Sequence, residues 1–311
     1  MSSPPAKRQR AENAPITRSD TWFSDGSVVL QANNTQFRVH WGVLALHSSV
    51  FSDMQGLPQP PDQPSVQGCP VVELQDDEED VKFLLQALYT PTFLGQQKMS
   101  FPAVAALVRL GRKYEFKDLY DAAVGRLTAR FPMTLDEYDA LKLSGAERRE
   151  WPTLEAYRGI HLDVIALASE NNLPATLPCA YTEIAKLYKT VIFFDEVERR
   201  NGSDSQQRPL AAIYLSYSLG WLRKWDFLGD CARPGACGAV RERLLMVCMD
   251  NAVVAALFKA EDIPMLTACC PTCLAHIRDS MNSGRKKTWD ELPGLLDLPP
   301  WHELKNGDYQ A

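Results

Sequence analysis

Four cysteines in the C-terminal half stand at spacings that can do chemistry. Cys270 and Cys273 form a Cys-x-x-Cys within Cys269-Cys270-Pro271-Thr272-Cys273, with His276 three residues on. That spacing lets two thiolates turn towards one tetrahedral ion. Cys231 and Cys237 are a looser pair, with five residues between them, in a stretch holding Pro234 and Gly235. Together the two pairs can form a structural zinc site, because four sulfur ligands leave no open position. The alternative is a set of incidental buried thiols, a common state for free cysteine. A redox Cys-x-x-Cys needs a βαβ context, and the surrounding pattern here is helical.

Other reactive residue types have plainer readings. His40 follows a β-prone run, where it is a pH switch, a ligand or a structural histidine. Ser48 is spaced to cap a helix. Asp76, Asp77, Glu78, Glu79 and Asp80 precede an apolar helical run, where acids favour the positive end of the helix. No phosphate-binding glycine loop, dinucleotide fingerprint, G-x-S-x-G or H-E-x-x-H occurs. The expectation is no enzyme, no catalytic residue and, zinc apart, no cofactor.

Composition narrows the classes further. A chain of 311 residues suggests two domains. With a net charge of −6 and a pI near 5.5 it lacks the basic balance of a nucleic-acid binder. Residues 1–18 lack an apolar period and read as a disordered tail. Its cluster Lys7-Arg8-Gln9-Arg10 is either a nuclear import signal or a solubilising charge run. The charged start at Met1–Arg10 does not resemble a secretory signal, and the longest apolar runs, such as Val253–Phe258, are too short to span a bilayer. The expectation is an intracellular protein, nuclear or cytoplasmic, without a membrane span. Eight cysteines are then mostly reduced.

These residues need elements to position them. Val28-Val29-Leu30 and Gln36–Val39 read as strands, joined by the turn pair Asn33-Asn34. Val43, Leu44, Leu46, Val50 and Phe51 fit one or two short helices. Pro58, Pro60, Pro61 and Pro64 force a loop, Val71–Leu74 reads as a strand, and the helix from the acids ends at Pro91. Two more helices fill 101–131. Beyond them the pattern is helical, over 161–171, 175–189, 191–200, 209–227, 240–259 and 263–281, with a polar loop at 201–207. Trp289 and Trp301 fall in a proline-containing tail that either docks on the second domain or binds a partner. The fold class is thus a small α+β domain over 19–131 followed by an all-α domain over 132–311.

The first domain resembles a known family. Trp22-Phe23-Ser24-Asp25-Gly26-Ser27-Val28-Val29-Leu30, then Phe37-Arg38-Val39-His40-Trp41-Gly42-Val43-Leu44, then Ser48–Met54, together look like a BTB/POZ domain. Its motif positions are filled by Asp25, Phe37, His40, Leu44, Ser48 and Phe51. Gly68-Cys69-Pro70-Val71-Val72-Glu73-Leu74 and the helix pair at 101–131 resemble the rest of that fold. The wording is most similar to the large fungal group of BTB proteins with a helical C-terminal region.

The resemblance implies a protein-interaction module that self-associates or docks a partner. It leaves two further roles open, a substrate adaptor of a cullin-type ubiquitin ligase and a nuclear transcriptional regulator. Two departures bear on this. Trp41 stands where many BTB domains have a basic residue, and reads either as an exposed partner anchor or as a locally packed ring. Between Thr90 and Phe101 there is no Glu for a cullin-binding element. The short stretch before Trp22 also leaves little room for the swapped strand of many BTB homodimers.

Overall fold

A computed structural model describes residues 15–57, 63–143, 151–187, 230–250, 257 and 259–306. Lys7, Arg8 and Arg10, most of the expected tail, the helices at 191–200 and 209–227, and the loop at 201–207 lie outside the described residues.

The chain divides into two compact units. The first holds residues 1–127 and 152–155. Its sheet has five strands in the order β1-β3-β2-β5-β4. These are β1 (Thr17–Trp22), β2 (Val28–Ala32), β3 (Thr35–Val39), β4 (Ser65–Val66) and β5 (Cys69–Leu74). The sheet is mixed: β2 runs antiparallel to β3 and parallel to β5, and β1 runs parallel to β3. Central β2 has partners on both sides, and its run Val28-Val29-Leu30 is fully buried. A continuous apolar run is what a strand covered on both faces requires. The hairpin turn uses Asn33 with φ +49°, a left-handed geometry asparagine tolerates.

Five helices complete the unit, α1 (Trp41–His47) and α2 (Ser49–Gln55) between β3 and β4, and α3 (Glu78–Tyr89), α4 (Phe101–Lys113) and α5 (Lys117–Thr128) after β5. Four of the five acids at 76–80 find a structural task. Asp77 caps α3 by accepting from the Glu79 amide, and Glu78 accepts from the Thr35 hydroxyl. Asp80 takes a two-pronged bond from Arg109, and Asp76 accepts from Lys113 and from the Tyr114 hydroxyl. Those last two tie the start of α3 to α4. Burial pushes the Asp80 carboxyl up, and Arg109 pulls against it. Gly111 lets α4 approach α5 closely, since a Cβ there would stand 3.0 Å from Tyr120 Cβ.

Residues 152–155 return to this unit, although the sequence pattern groups them with the helical half. The Met99 amide donates to the Thr153 carbonyl, the Glu155 amide donates to the Met99 carbonyl, and Leu154 is buried. A strand-like bridge of this length leaves no period to read.

The second unit holds residues 128–151 and 156–311. Its described residues are helical: α6 (Leu135–Leu143), α7 (Ile160–Glu170), α8 (Leu177–Leu187), α9 (Pro234–Asp250) and α10 (Pro271–Glu291), with short 3₁₀ turns between. Both α9 and α10 open on proline, whose missing N–H costs nothing in a first turn. Two expected boundaries move for that reason. The helix expected from 240 begins at Pro234. The one expected over 263–281 is a 3₁₀ turn at Pro264–Ala268, and then α10 runs on to Glu291.

Trp289 is therefore part of α10 rather than of the tail. Its indole donates to the Met133 carbonyl at 3.2 Å, and the Trp301 indole donates to the Trp289 carbonyl at 2.6 Å. The two rings stack 5.2 Å apart at 6°. The tail thus docks on its own unit. No helix among the described residues is long and apolar enough to cross a membrane.

Candidate functional site

The six motif residues of the first unit fall into two connected groups. Phe37, Leu44 and Phe51 are buried in its core, with Phe51 packed against Tyr114 and Phe116 at ring distances of 5.2 and 5.8 Å. Burying side chains of this size contributes about 1.5–3 kcal/mol each. Ser48 caps α2 through the Phe51 amide.

His40 follows β3 and precedes α1. Its backbone amide donates to the Tyr89 hydroxyl at 2.9 Å, and its Nε2 lies 3.3 Å from Asp25 Oδ1. Phe23 stacks on Tyr89 and leans on the His40 ring. Hydrogen bonds from its own backbone and from His40 hold the exposed Asp25 carboxyl below the usual carboxylate range. Gly26 follows because the chain turns against β3: a Cβ there would meet Arg38 Cγ at 2.8 Å and the Val39 carbonyl at 3.0 Å. This knot joins the start of the hairpin to the end of α3.

Trp41 takes the locally packed of its two readings. It is only 7% exposed, its indole donates to the Phe51 carbonyl at 3.2 Å, and its backbone amide donates to the Ser27 hydroxyl. A ring held this way is a packing element and offers no surface for an anchor. The open apolar groups of this region lie elsewhere. Leu46 is 78% exposed on α1 and Leu57 is 63% exposed just after α2. Val43, Val50 and Met54 on the same helices are half-buried. Sequence patterning gives Val43, Leu46 and Val50 only as helical spacing, because apolar spacing alone cannot tell a core from a contact surface.

These features decide the comparison with known proteins. Residues 18–129 match the BTB/POZ domain. The mixed sheet, the five helices and the filled motif positions fit that match, and a helical region follows it. No curated protein matches the chain. Within the BTB domain, β1 lies at the edge of the sheet and pairs with β3 of its own chain.

The second unit brings the four singled-out cysteines together. The sulfurs of Cys231, Cys237, Cys270 and Cys273 all lie within 4.8 Å of one another, with Cys231 and Cys270 at 3.9 Å. Three are buried and Cys231 is half-buried. Cys270 is the residue preceding α10, and its amide donates to Cys237 Sγ at 3.3 Å. The Cys273 amide, donating to the Cys270 sulfur, holds that thiol down at about 6. Burial pushes the Cys231 and Cys273 thiols up. Cys269 is buried beside the group and its thiol is pushed up to about 11, first by burial and then by Cys237. Neither it nor His276 belongs to the set of four.

Proposed function

We propose that the BTB domain is a protein-interaction module through which two copies of the chain associate, with the outer face of α1 at the contact. The observation that carries this reading is Leu46, left 78% exposed on a seven-residue helix whose Trp41 and Leu44 are buried. Val43 sits one turn before it, and a large apolar group left open beside others marks a contact surface. The competing route, strand addition at β1, has less support. β1 reads Thr-Arg-Ser-Asp-Thr-Trp, and charges on an edge strand guard against pairing.

The same face can instead receive a different protein. A cullin-adaptor role is less favoured, since no Glu lies between Thr90 and Phe101. A nuclear regulator role rests on Lys7, Arg8 and Arg10. The Trp22-Phe23-Ser24-Asp25-Gly26 wording favours the fungal BTB group among BTB proteins.

Co-expression of two differently tagged full-length copies tests the proposal. Capture of one tag is expected to bring the other down, and Leu46→Asp is expected to abolish that co-capture with the fold intact. Separate recovery of the wild-type copies would sink the self-association reading.

A further inference from the structure

We propose that Cys231, Cys237, Cys270 and Cys273 bind one structural zinc ion, which fastens the segment before α9 and the first turn of α9 to the start of α10. Four thiolates about 2.3 Å from a tetrahedral ion stand about 3.8 Å from one another. The Cys231–Cys270 separation of 3.9 Å meets that edge, and all four sulfurs lie within 4.8 Å of each other. Small movements of these side chains complete the tetrahedron. A disulfide would instead need two sulfurs at about 2.05 Å and would leave the other pair without a role.

The surroundings suit bound thiolates. A zinc ion with four thiolates carries net negative charge, and that charge needs donors once it is buried. The Cys270 amide donates to Cys237 Sγ. Amides of Cys273 and Ala232 donate to the Cys270 sulfur, and the Arg233 amide donates to that of Cys231. The Arg233 guanidinium lies close by, donating to the Cys269 carbonyl at 3.2 Å. Around these groups the packing is apolar, with Val240, Leu244, Ile263, Leu266, Ile277 and Met281 in the same cluster.

Ligand type points to the metal. Four soft sulfur ligands at tetrahedral spacing select zinc over magnesium or calcium, which take oxygen ligands. With four protein ligands no position is open for water or substrate, so the ion's role is structural. Binding displaces the remaining thiol protons to solvent.

Metal analysis of the full chain, purified under reducing conditions from zinc-replete medium, tests this. About one zinc per chain is expected, the stoichiometry of a closed four-thiolate site. Cys231→Ser and Cys273→Ser are each expected to lose most of it, while Cys269→Ser keeps it. Because ligand variants can fail to fold, the wild-type chain stripped of metal is also titrated with cobalt(II). The expected signature is the intense visible absorption of a tetrahedral thiolate complex, bleached by added zinc. A folded wild-type chain that takes up neither zinc nor cobalt overturns the proposal. So does zinc retained by both Cys231→Ser and Cys273→Ser.

Discussion

Ser48 Oγ donates to the Tyr114 carbonyl at 2.5 Å while accepting from the Phe51 amide at 3.0 Å. One buried hydroxyl thus caps α2 and ties it to the end of α4, 66 residues away. Ser48→Ala removes the cap and leaves a buried carbonyl without its donor. Losses of this kind cost about 1–3 kcal/mol. The expected outcome is a lower urea midpoint for the BTB domain's transition at an unchanged slope. A midpoint equal to that of wild type would count against the bond.

Trp41 separates packing from recognition. Trp41→Phe keeps most of the ring but removes the indole donor to the Phe51 carbonyl. The expected loss is about 1 kcal/mol of stability, the usual net worth of a hydrogen bond. Self-association is expected to stay at the wild-type level, as measured by light scattering at matched concentrations. A weakened dimer with unchanged stability would restore the anchor reading.

The BTB half was largely legible because its signals are local. The Asn33-Asn34 turn, the Val28–Leu30 run and the acids before α3 each act within a few residues. What stayed hidden was decided by distant partners. The burial of Trp41 depends on the Phe51 carbonyl and the Ser27 hydroxyl. The seating of Leu154 depends on Met99. The openness of Leu46 depends on no described residue of the chain covering it. The candidate cysteine set could be picked from spacing, but its convergence needed α10 to begin at Pro271 and point its first turn at Cys237.

The second unit holds a buried charge pair that sequence patterning gives no hint of. Arg285 donates to Asp139 at 2.5 Å and to the Leu257 carbonyl at 3.2 Å, and Lys259 reaches the other Asp139 oxygen at 3.1 Å. Burial alone would raise the Asp139 carboxyl, but Arg285 and Lys259 outweigh it and hold it low. Asp139→Asn leaves Arg285 buried and uncompensated, a loss of about 3–5 kcal/mol. The double variant Asp139→Asn with Arg285→Met is expected to recover part of that. Thermal unfolding of the three chains measures it, and additive losses would contradict the pairing.

His161 sets a pH dependence. It is buried against Trp151, with ring centroids 5.2 Å apart. Burial, assisted by Arg130, holds its pKa down at about 4, below the ordinary 6.5. The folded state therefore favours the neutral ring. Its stability is fully present above pH 6.5 and is lost as pH falls towards 4, by up to roughly 3 kcal/mol. In His161→Phe the stability curve is expected to flatten across that window. An unchanged slope between pH 6.5 and 4 would contradict this account.

The mass of the full-length chain in solution tests the central claim most directly. Light scattering on the wild-type protein is expected to give twice the 34.9 kDa of one chain. Leu46→Asp is expected to give the single-chain mass with unchanged circular dichroism. A wild-type chain that remains a single copy at micromolar concentration would contradict association through the BTB domain.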